Sequence, residues 1–266
     1  MIAVIRGVGR RAVAVARYQG QLVQLTGEVL RSVAGGKFRW RLFLDQIASI
    51  GFRSQFVVMI TGGFTGAVFA AQSFFKFNEI GLASATGPVV AVAMCRELGP
   101  VLTGFMIAGR VGAAMAAEIA SMRVTEQVDA LRSLGVAPVD YLVVPRIFAT
   151  VVSMPVLVAE SILVGILAAD ILVVRIFDVP AVWFRTQMME AVTRGDVLTG
   201  LIKAAVFGYL IVMISCHHGL RTGTGAAGVG TATTRAVVDS CIAILIVNFF
   251  LTLILNEWLP AFSIQF

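Results

Sequence analysis

The sequence predicts an all-α membrane protein: five transmembrane helices, an N-terminal interfacial amphipathic helix, and a short cytoplasmic helix between the second and third spans. Composition, the length of the apolar runs and the distribution of basic residues predict this fold. Hydrophobic residues make up 58% of the 266 residues and charged residues only 14%, whereas soluble domains carry about 25% charged residues. So few polar groups cannot cover the chain in water, and most of its surface is expected to face lipid.

Five apolar runs are long enough to cross a bilayer, which takes about 20 helical residues. None shows the apolar–polar alternation of a transmembrane β-barrel strand. The expected spans are residues 56–75, 87–122, 143–174, 197–216 and 236–255. The chain is accordingly divided into a cytoplasmic N-terminal segment, residues 1–53, and a five-helix transmembrane domain, residues 54–266.

The basic residues predict the orientation, because cytoplasmic segments are enriched in Lys and Arg. Nine of them precede the first span, and fourteen of 21 fall on that side against four on the other. The N-terminus is therefore expected to be cytoplasmic and, after five spans, the C-terminus outside. The basic residues follow this topology and form no single patch, so anionic lipid is the expected partner and nucleic acid is not.

An amphipathic helix is predicted before the first span. Its apolar stripe repeats at steps of three and four residues and comprises Val15, Tyr18, Leu22, Leu25, Val29 and Val33. Its polar stripe comprises Arg17, Gln21, Gln24, Glu28 and Arg31. Such a helix is too polar to cross a bilayer and is suited to lie along its surface; packing on a soluble partner is the alternative.

Three charged residues are expected inside the outer half of the membrane: Arg96, Glu97 and Lys203. Buried charges cost several kcal/mol unless they face a cavity or a partner. A polar chamber open toward the outer leaflet would accommodate all three; a structural ion pair between helices is the alternative. Pro100 is expected to kink the second span or to leave a carbonyl free.

The second span is expected to pack closely on other helices, because small residues recur every four positions along it. These rows are Gly104/Ala108, Gly109/Ala113/Ala117 and Gly112/Ala116/Ala120. Arg110 and Glu118 share a face but lie too far apart to pair with each other, and Glu160 and Asp170 of the third span are their candidate partners. The neighbouring helices could belong to the same subunit or to a second copy.

A short, partly polar helix is predicted at residues 125–131, between the second and third spans. Gly135 is the stop signal and Pro138 lies just beyond it. This is the pattern of a coupling helix that docks on a cytoplasmic motor, with a solvated loop helix as the alternative. The candidate coupling residues are Glu126, Gln127, Asp129, Ala130, Leu131 and Arg132.

The sequence contains no recognisable catalytic, nucleotide or metal site. There is no GxxxxGK[ST] motif, so no phosphate-binding loop is predicted. Residues 223–230 (GTGAAGVG) lack a surrounding βαβ unit and are interpreted as a flexible cytoplasmic turn. His217 and His218 are adjacent and so do not form the i, i+4 metal-binding pair of a helix. We therefore expect no enzyme activity and no cofactor in this chain.

Two long motifs resemble the MlaE/YrbE permease family, the membrane subunits of ABC transporters that work with MCE-domain proteins in lipid trafficking. The first is RELGPVLTGFMIAGRVGAAMAAEIASMRVTEQVDAL, residues 96–131, and the second is GAAGVGTATTRAVVDS, residues 225–240. The order of helices also agrees along essentially the whole chain. One departure is Asn248, where the family pattern has an acidic residue before an aromatic pair; that pattern therefore does not support a charge-based role here.

The resemblance implies a homodimeric permease subunit in the bacterial inner membrane, with a periplasmic C-terminus. A separate cytoplasmic ABC ATPase would bind ATP and Mg²⁺, and an MCE-domain protein would sit on the outer face. Phospholipid, or a similar lipid, would be the substrate, with Arg96 and Lys203 near its phosphate. The alternative is an ion-gradient-driven secondary transporter that uses Glu97, Asp170 or Asp239 as proton carrier, although five spans allow no simple inverted repeat.

Overall fold

The computed structural model describes residues 2–35 and 39–258, and within these ranges the side chains of residues 2–12, 14, 15 and 258 are left undescribed. No β-strand occurs in the described ranges. The α-helices, in chain order, are α1 (Ile2–Ala34), α2 (Trp40–Ile50), α3 (Gln55–Glu79), α4 (Thr86–Ala93), α5 (Gly99–Ile107), α6 (Ala113–Val124), α7 (Gln127–Ser133), α8 (Val144–Arg175), α9 (Ala181–Ala191), α10 (Arg194–Leu220) and α11 (Gly225–Trp258).

Five helical segments are long and apolar enough to cross a membrane, which confirms the predicted all-α membrane fold. They are Trp40–Glu79, Ala83–Val124, Val139–Arg175, Arg194–Leu220 and Gly225–Glu257. Each contains one of the predicted runs and extends beyond it, because the helices continue through polar residues at their ends. The last segment is the least buried of the five and the fourth is the most buried.

Helix α1 packs on α10 and on the start of the third segment through the predicted apolar stripe. Leu25 and Val29 are buried, and Val15 lies outside the described side chains. The prediction for Val33 is wrong: it is 42% exposed, and Ser32 is buried instead. The reason is geometric, because two successive steps of four residues drift off a face that repeats every 3.6 residues.

Three π-helical turns occur in the second and third segments. Met94–Leu98 and Ala108–Gly112 lie within the second segment, and Val139–Val143 begins the third. The first directly precedes Pro100 at the start of α5, where a kink or a free carbonyl was predicted. Proline has no backbone N–H to donate to the carbonyl four residues earlier, which is that of Arg96. This turn carries Arg96 and Glu97, and π-turns in helices frequently mark functional sites.

Glycines allow the bundle helices to approach closely. A Cβ added to Gly66 of α3 would collide with the carbonyl of Gly165 in α8. In the second segment, the rows that contain Gly104 and Gly112 face side chains of α10 and α11 within the same subunit. The row that starts at Gly109 is different: this glycine is exposed and has nothing within 4 Å of an added Cβ.

The predicted flexible turn at residues 223–230 is wrong in its extent. Helix α11 already begins at Gly225, whose φ of 71° is left-handed, so only residues 221–224 link it to α10. Helix α11 packs on α6, and Ala232 and Ala236 near its start are buried. Ala232 and Ala236 therefore serve as small packing residues, whereas Gly225 and Gly230 have nothing within 4 Å of an added Cβ.

The candidate partners Glu160 and Asp170 pair with neither Arg110 nor Glu118 in the described structure. Glu118 pairs with Arg146 at 2.8 Å, and Arg110 donates to the backbone carbonyl of Arg53. Asp170 pairs at 2.8 Å with Arg185 of α9, a helix that was not predicted. Glu160 has no such partner: its Oε2 atom is buried and makes no hydrogen bond within the described ranges.

Helix α9 follows Pro180 and buries Phe184 and Met188 against Gly87 of α4. The i, i+4 spacing of these two residues after a proline was the sequence signal for it. It covers the ends of the second and third segments on the side predicted to face outward.

Candidate functional site

The three predicted chamber residues meet in one charged cluster at the end of α10 nearest Arg194. Arg96 and Glu97 come from the π-helical turn of the second segment, and Lys203 comes from α10. Four polar residues that were not predicted complete the cluster. They are Asp196 of α10 and Asn248, Thr252 and Asn256 of α11.

Lys203 lies at the centre of the charged cluster and its side chain is fully buried. Its ammonium donates to Glu97 Oε1 at 2.7 Å, to Thr252 Oγ1 at 2.8 Å and to the Arg96 carbonyl at 3.0 Å. A lysine has three N–H donors, so all are satisfied. The Arg96 carbonyl is the one to which Pro100 cannot donate, because proline has no backbone N–H. Lys203 therefore donates to the carbonyl that was predicted to be free.

Glu97 holds the second segment to α11. Its Oε1 accepts from Thr252 at 3.0 Å as well as from Lys203, and its Oε2 accepts from Asn248 Nδ2 at 2.8 Å. An ionised acid at position 248 would repel Glu97, whereas the asparagine amide donates to it. The Asn248 Oδ1 atom is buried and has no partner within residues 39–258, so this amide retains an unused acceptor.

Arg96 is the cation of the charged cluster that remains accessible, with 37% of its side chain exposed. Its Nε donates to Asp196 and its Nη1 donates to Asn256 Oδ1 at 2.8 Å. Asp196 is fixed in turn by a capping box at the start of α10, where its Oδ2 accepts from the Thr193 backbone N–H at 2.7 Å. The Thr193–Asp196 spacing was a readable helix-start signal, but Asp196 lay just outside the predicted span.

The charged cluster is suited to binding rather than to covalent chemistry. Its formal charges balance, with Arg96 and Lys203 against Glu97 and Asp196, and it holds no nucleophile with an adjacent base. Among the described residues, no group of three or more His, Cys, Asp or Glu could hold a metal ion. What it offers a ligand is the partly exposed Arg96 guanidinium, whose five N–H donors exceed the two hydrogen bonds it makes within the described residues.

The predicted coupling helix is present as α7, but it begins two residues later than expected. Glu126 has a left-handed φ of 59° and forms the turn between α6 and α7, so the helix starts at Gln127. Val128 is fully buried and anchors the segment to the bundle. Gly135, with a φ of 72°, follows its end as predicted.

The candidate coupling residues differ in exposure. Asp129 accepts from Arg123 at 2.8 Å and from Arg132 at 3.0 Å, which braces α7 against α6. Leu131 is partly buried against the core. The exposed positions are Glu126, Gln127, Ala130 and Arg132. Leu134, which was not predicted, is 77% exposed and adds an apolar side chain to this surface.

Comparison with known proteins agrees with these features. Residues 43–254 match the profile of the family described as Permease MlaE. A probable ABC transporter permease of Rickettsia felis is 42% identical over 252 residues, covering 95% of this chain and 97% of the relative. The probable ABC transporter permease slr1045 of Synechocystis is 42% identical, covering 86% of this chain and 87% of the relative.

A plant protein is also similar. The chloroplastic protein TRIGALACTOSYLDIACYLGLYCEROL 1 of Arabidopsis thaliana is 38% identical over 228 residues, covering 86% of this chain and 65% of the relative. The matched profile includes α7 and every residue of the charged cluster except Asn256, and the Rickettsia felis relative covers 95% of the chain. The chain therefore belongs to the MlaE permease family and is a permease subunit of the ABC transporter type.

Proposed function

We propose that this permease moves phospholipid, or a similar lipid, between the bacterial inner membrane and an MCE-domain protein on the outer face. The energy comes from ATP and Mg²⁺ bound by a separate ATPase. The observation that carries the proposal is the partly exposed Arg96 guanidinium, held in place by Asp196 and Asn256 within a membrane-spanning bundle. A guanidinium is well matched to a phosphate group.

The substrate class is supported by the chemistry left open in the charged cluster. The Arg96 side chain is 37% exposed, and only its Nε and Nη1 are engaged within the described residues, so N–H donors remain for a phosphate. Arg96 contacts the phosphate, and the fully engaged Lys203 holds Glu97 in place. The name of the Arabidopsis relative contains that of a glycerolipid, which also favours a lipid substrate.

The proposed assembly is a homodimer with cytoplasmic N-termini and periplasmic C-termini. The least buried segment, α11, carries an exposed apolar stripe that includes Phe249 and Phe250. On the second segment, Gly109 is exposed and has nothing within 4 Å of an added Cβ among the described residues. Small-residue rows allow close helix approach, so the row that starts at Gly109 is a candidate contact for the second copy.

Coupling to the ATPase is assigned to the exposed surface of α7 and its flanks. Glu126 and Arg132 supply charge, and Leu134 supplies an apolar side chain. Because Val128 is buried and Asp129 is paired to Arg123 of α6, a push on α7 is transmitted directly to the second segment. The family assignment favours this ATP-driven mechanism over an ion-gradient-driven one.

The substrate proposal is tested by photocrosslinking with a phospholipid that carries a diazirine near its headgroup. Arg96→Ala is expected to lower labelling of the charged cluster at least fivefold in the purified complex. Lys76→Ala is the matched control, since it removes an exposed basic residue on the same predicted side, paired only to Glu79 within its own helix turn. Equal labelling of both variants and the wild type would contradict the proposal.

The coupling proposal is tested by co-purification of the permease with its ATPase from membranes. Charge reversal in Glu126→Lys/Arg132→Glu and, separately, Leu134→Ser should each lower the recovered ATPase several-fold. Leu82→Ser is the matched control, because Leu82 is an exposed leucine in the link between α3 and α4, at the opposite, predicted outer end of the bundle. Normal ATPase recovery and normal lipid-stimulated hydrolysis in all variants would remove α7 from the coupling role.

A further inference from the structure

A cavity separate from the charged cluster lies between α1, the half of α10 nearest Leu220, and α11. Its volume is about 690 Å³, within the range of about 300–1,000 Å³ that is usual for small-molecule pockets. None of the charged-cluster residues lines it. We call it the inner groove, and its walls include Leu22, Thr26, Leu210, Met213 and Ile246.

The inner groove is polar at one end and apolar along its length. Tyr18, Gln19 and Asp239 form the polar end, beside His218 near the end of α10. Counting from that end, α11 contributes Ile242 and Ile246, one helical turn apart. The groove therefore presents a polar entrance followed by an apolar channel, which is the polarity of an amphiphile with its tail inserted.

The polar end is built from groups that hold one another in place. His218 Nε2 lies 2.8 Å from Asp239 Oδ2, and the Tyr18 ring packs on both neighbouring histidines, with centroid distances of 5.1 Å to His217 and 5.8 Å to His218. Burial, together with the nearby Asp239 carboxylate, raises the pKa of Tyr18 well above its ordinary value. Its hydroxyl therefore keeps its proton and can donate a hydrogen bond.

The width of the groove is also fixed. The Thr26 hydroxyl lies 2.8 Å from that of Tyr209 and donates at 3.0 Å to the Leu22 carbonyl. This contact holds α1 against α10 at a constant separation. The rim nevertheless remains open, because Val23 is 70% exposed on α1 and Ile242 is 51% exposed on α11.

We infer that the inner groove binds one acyl chain of a phospholipid from the leaflet next to α1, with the headgroup beside Tyr18 and Asp239. Residues 209–214 lie within a membrane-spanning segment, so acyl chains are the apolar groups present at the open rim. This site is separate from the charged cluster, and it does not depend on the proposed transport function. The Asp239 side chain, 37% exposed, favours a headgroup with an ammonium group.

The test uses the full chain reconstituted in nanodiscs with phosphatidylethanolamine that carries a diazirine near the end of one acyl chain. After irradiation, labelled peptides are located by mass spectrometry. Labels are expected on α1 around Leu22 and on α10 around Met213. Ala243→Phe, which places a ring in the groove, should lower this labelling at least fivefold while labelling at the charged cluster stays unchanged.

Two further variants make the result specific. Leu245→Phe places the same ring two residues away on the exposed face of α11 and should leave groove labelling unchanged. Val23→Trp blocks the rim from an exposed position, so it tests the groove even where Ala243→Phe lowers folding yield. Because Arg96→Ala is read at the charged cluster and Ala243→Phe at the groove, failure of one proposal is distinguishable from failure of the other.

Three outcomes would overturn the inference. Groove labelling could stay within twofold of wild type in both blocking variants. A diazirine fatty acid could label the groove while the phospholipid does not, which would assign the site to a free acid. Val23→Cys could form a disulfide between two copies with the groove unlabelled, which would show that a second chain covers it.

Discussion

The two halves of the α10–α11 contact differ in the arrangement of their polar groups. Near Arg194, charged side chains of the second and fourth segments meet polar side chains of α11, and the buried Lys203 uses every donor on its own subunit. Near Leu220, polar groups are confined to one end of an open apolar groove, and α1 forms its third wall. The first half fixes the helices with ion pairs around Lys203, whereas the second combines an open apolar groove with a partly exposed carboxylate, Asp239, that contacts His218.

This difference follows from burial. A buried charge must be neutralised and fully hydrogen-bonded. The helices around Lys203 can therefore shift little relative to one another without losing one of its hydrogen bonds. A groove lined by apolar residues has no such requirement and can remain open to lipid. We therefore expect the first half to be sensitive to single substitutions, and the second half to tolerate them with smaller losses of stability.

The largest expected effect is at Lys203. Lys203→Met leaves Glu97 without its cation and should lower the free energy of unfolding by about 3 kcal/mol, because breaking a buried pair leaves an uncompensated charge. Unfolding would be followed by circular dichroism during titration from mild detergent into SDS. Lys76→Met, at an exposed pair, should cost less than about 1 kcal/mol. Equal losses in the two variants would contradict the comparison.

The second effect compares two glycines of α10. A Cβ at Gly200 would collide with the Cys95 carbonyl, whereas at Gly219 it would meet the Ile119 Cβ at 2.8 Å and the Ala116 carbonyl at 3.0 Å. Gly200→Ala should cost about 3 kcal/mol and Gly219→Ala about 1–2 kcal/mol, the range for overpacking. Gly230→Ala in α11 has nothing within 4 Å and should not destabilise the same unfolding transition.

The smallest expected effect is at the groove. Tyr209→Phe removes the hydrogen bond between α1 and α10 and should cost about 1 kcal/mol, the usual net value of one hydrogen bond. Thr26→Val should cost a similar amount, and the double variant should cost less than the sum because both remove the same contact. Additive losses would show that these hydroxyls act independently and that the groove width is set elsewhere.

Part of the charged cluster could be predicted from the sequence. Arg96, Glu97 and Lys203 stood out because charges are rare inside long apolar runs, and Pro100 indicated a free carbonyl nearby. Asp196, Asn248 and Thr252 did not stand out. They lie at the end of a span or are neutral, and only the packing of α10 and α11 shows that they contact the charged residues.

The pairings beyond the cluster could not be predicted for a related reason. Arg110 and Asp170 have several possible partners at similar depth, and the sequence contains no information on which helices are neighbours. The structure pairs Asp170 with Arg185 of α9, a helix whose two apolar anchors give a weak periodic signal. The misjudged turn at residues 223–230 shows the same limit, since the glycine-rich sequence does not show that α11 already begins at Gly225.

By itself, the sequence determined the membrane environment, the number of spans and the presence of a short helix between the second and third spans. These properties follow from hydrophobicity and periodicity along one chain, because a helix in lipid satisfies its own backbone hydrogen bonds. Only the tertiary structure decided which polar groups neutralise one another and where a groove remains open. Those features depend on the distance and orientation of helices that are far apart in sequence, and single-helix patterns do not encode either.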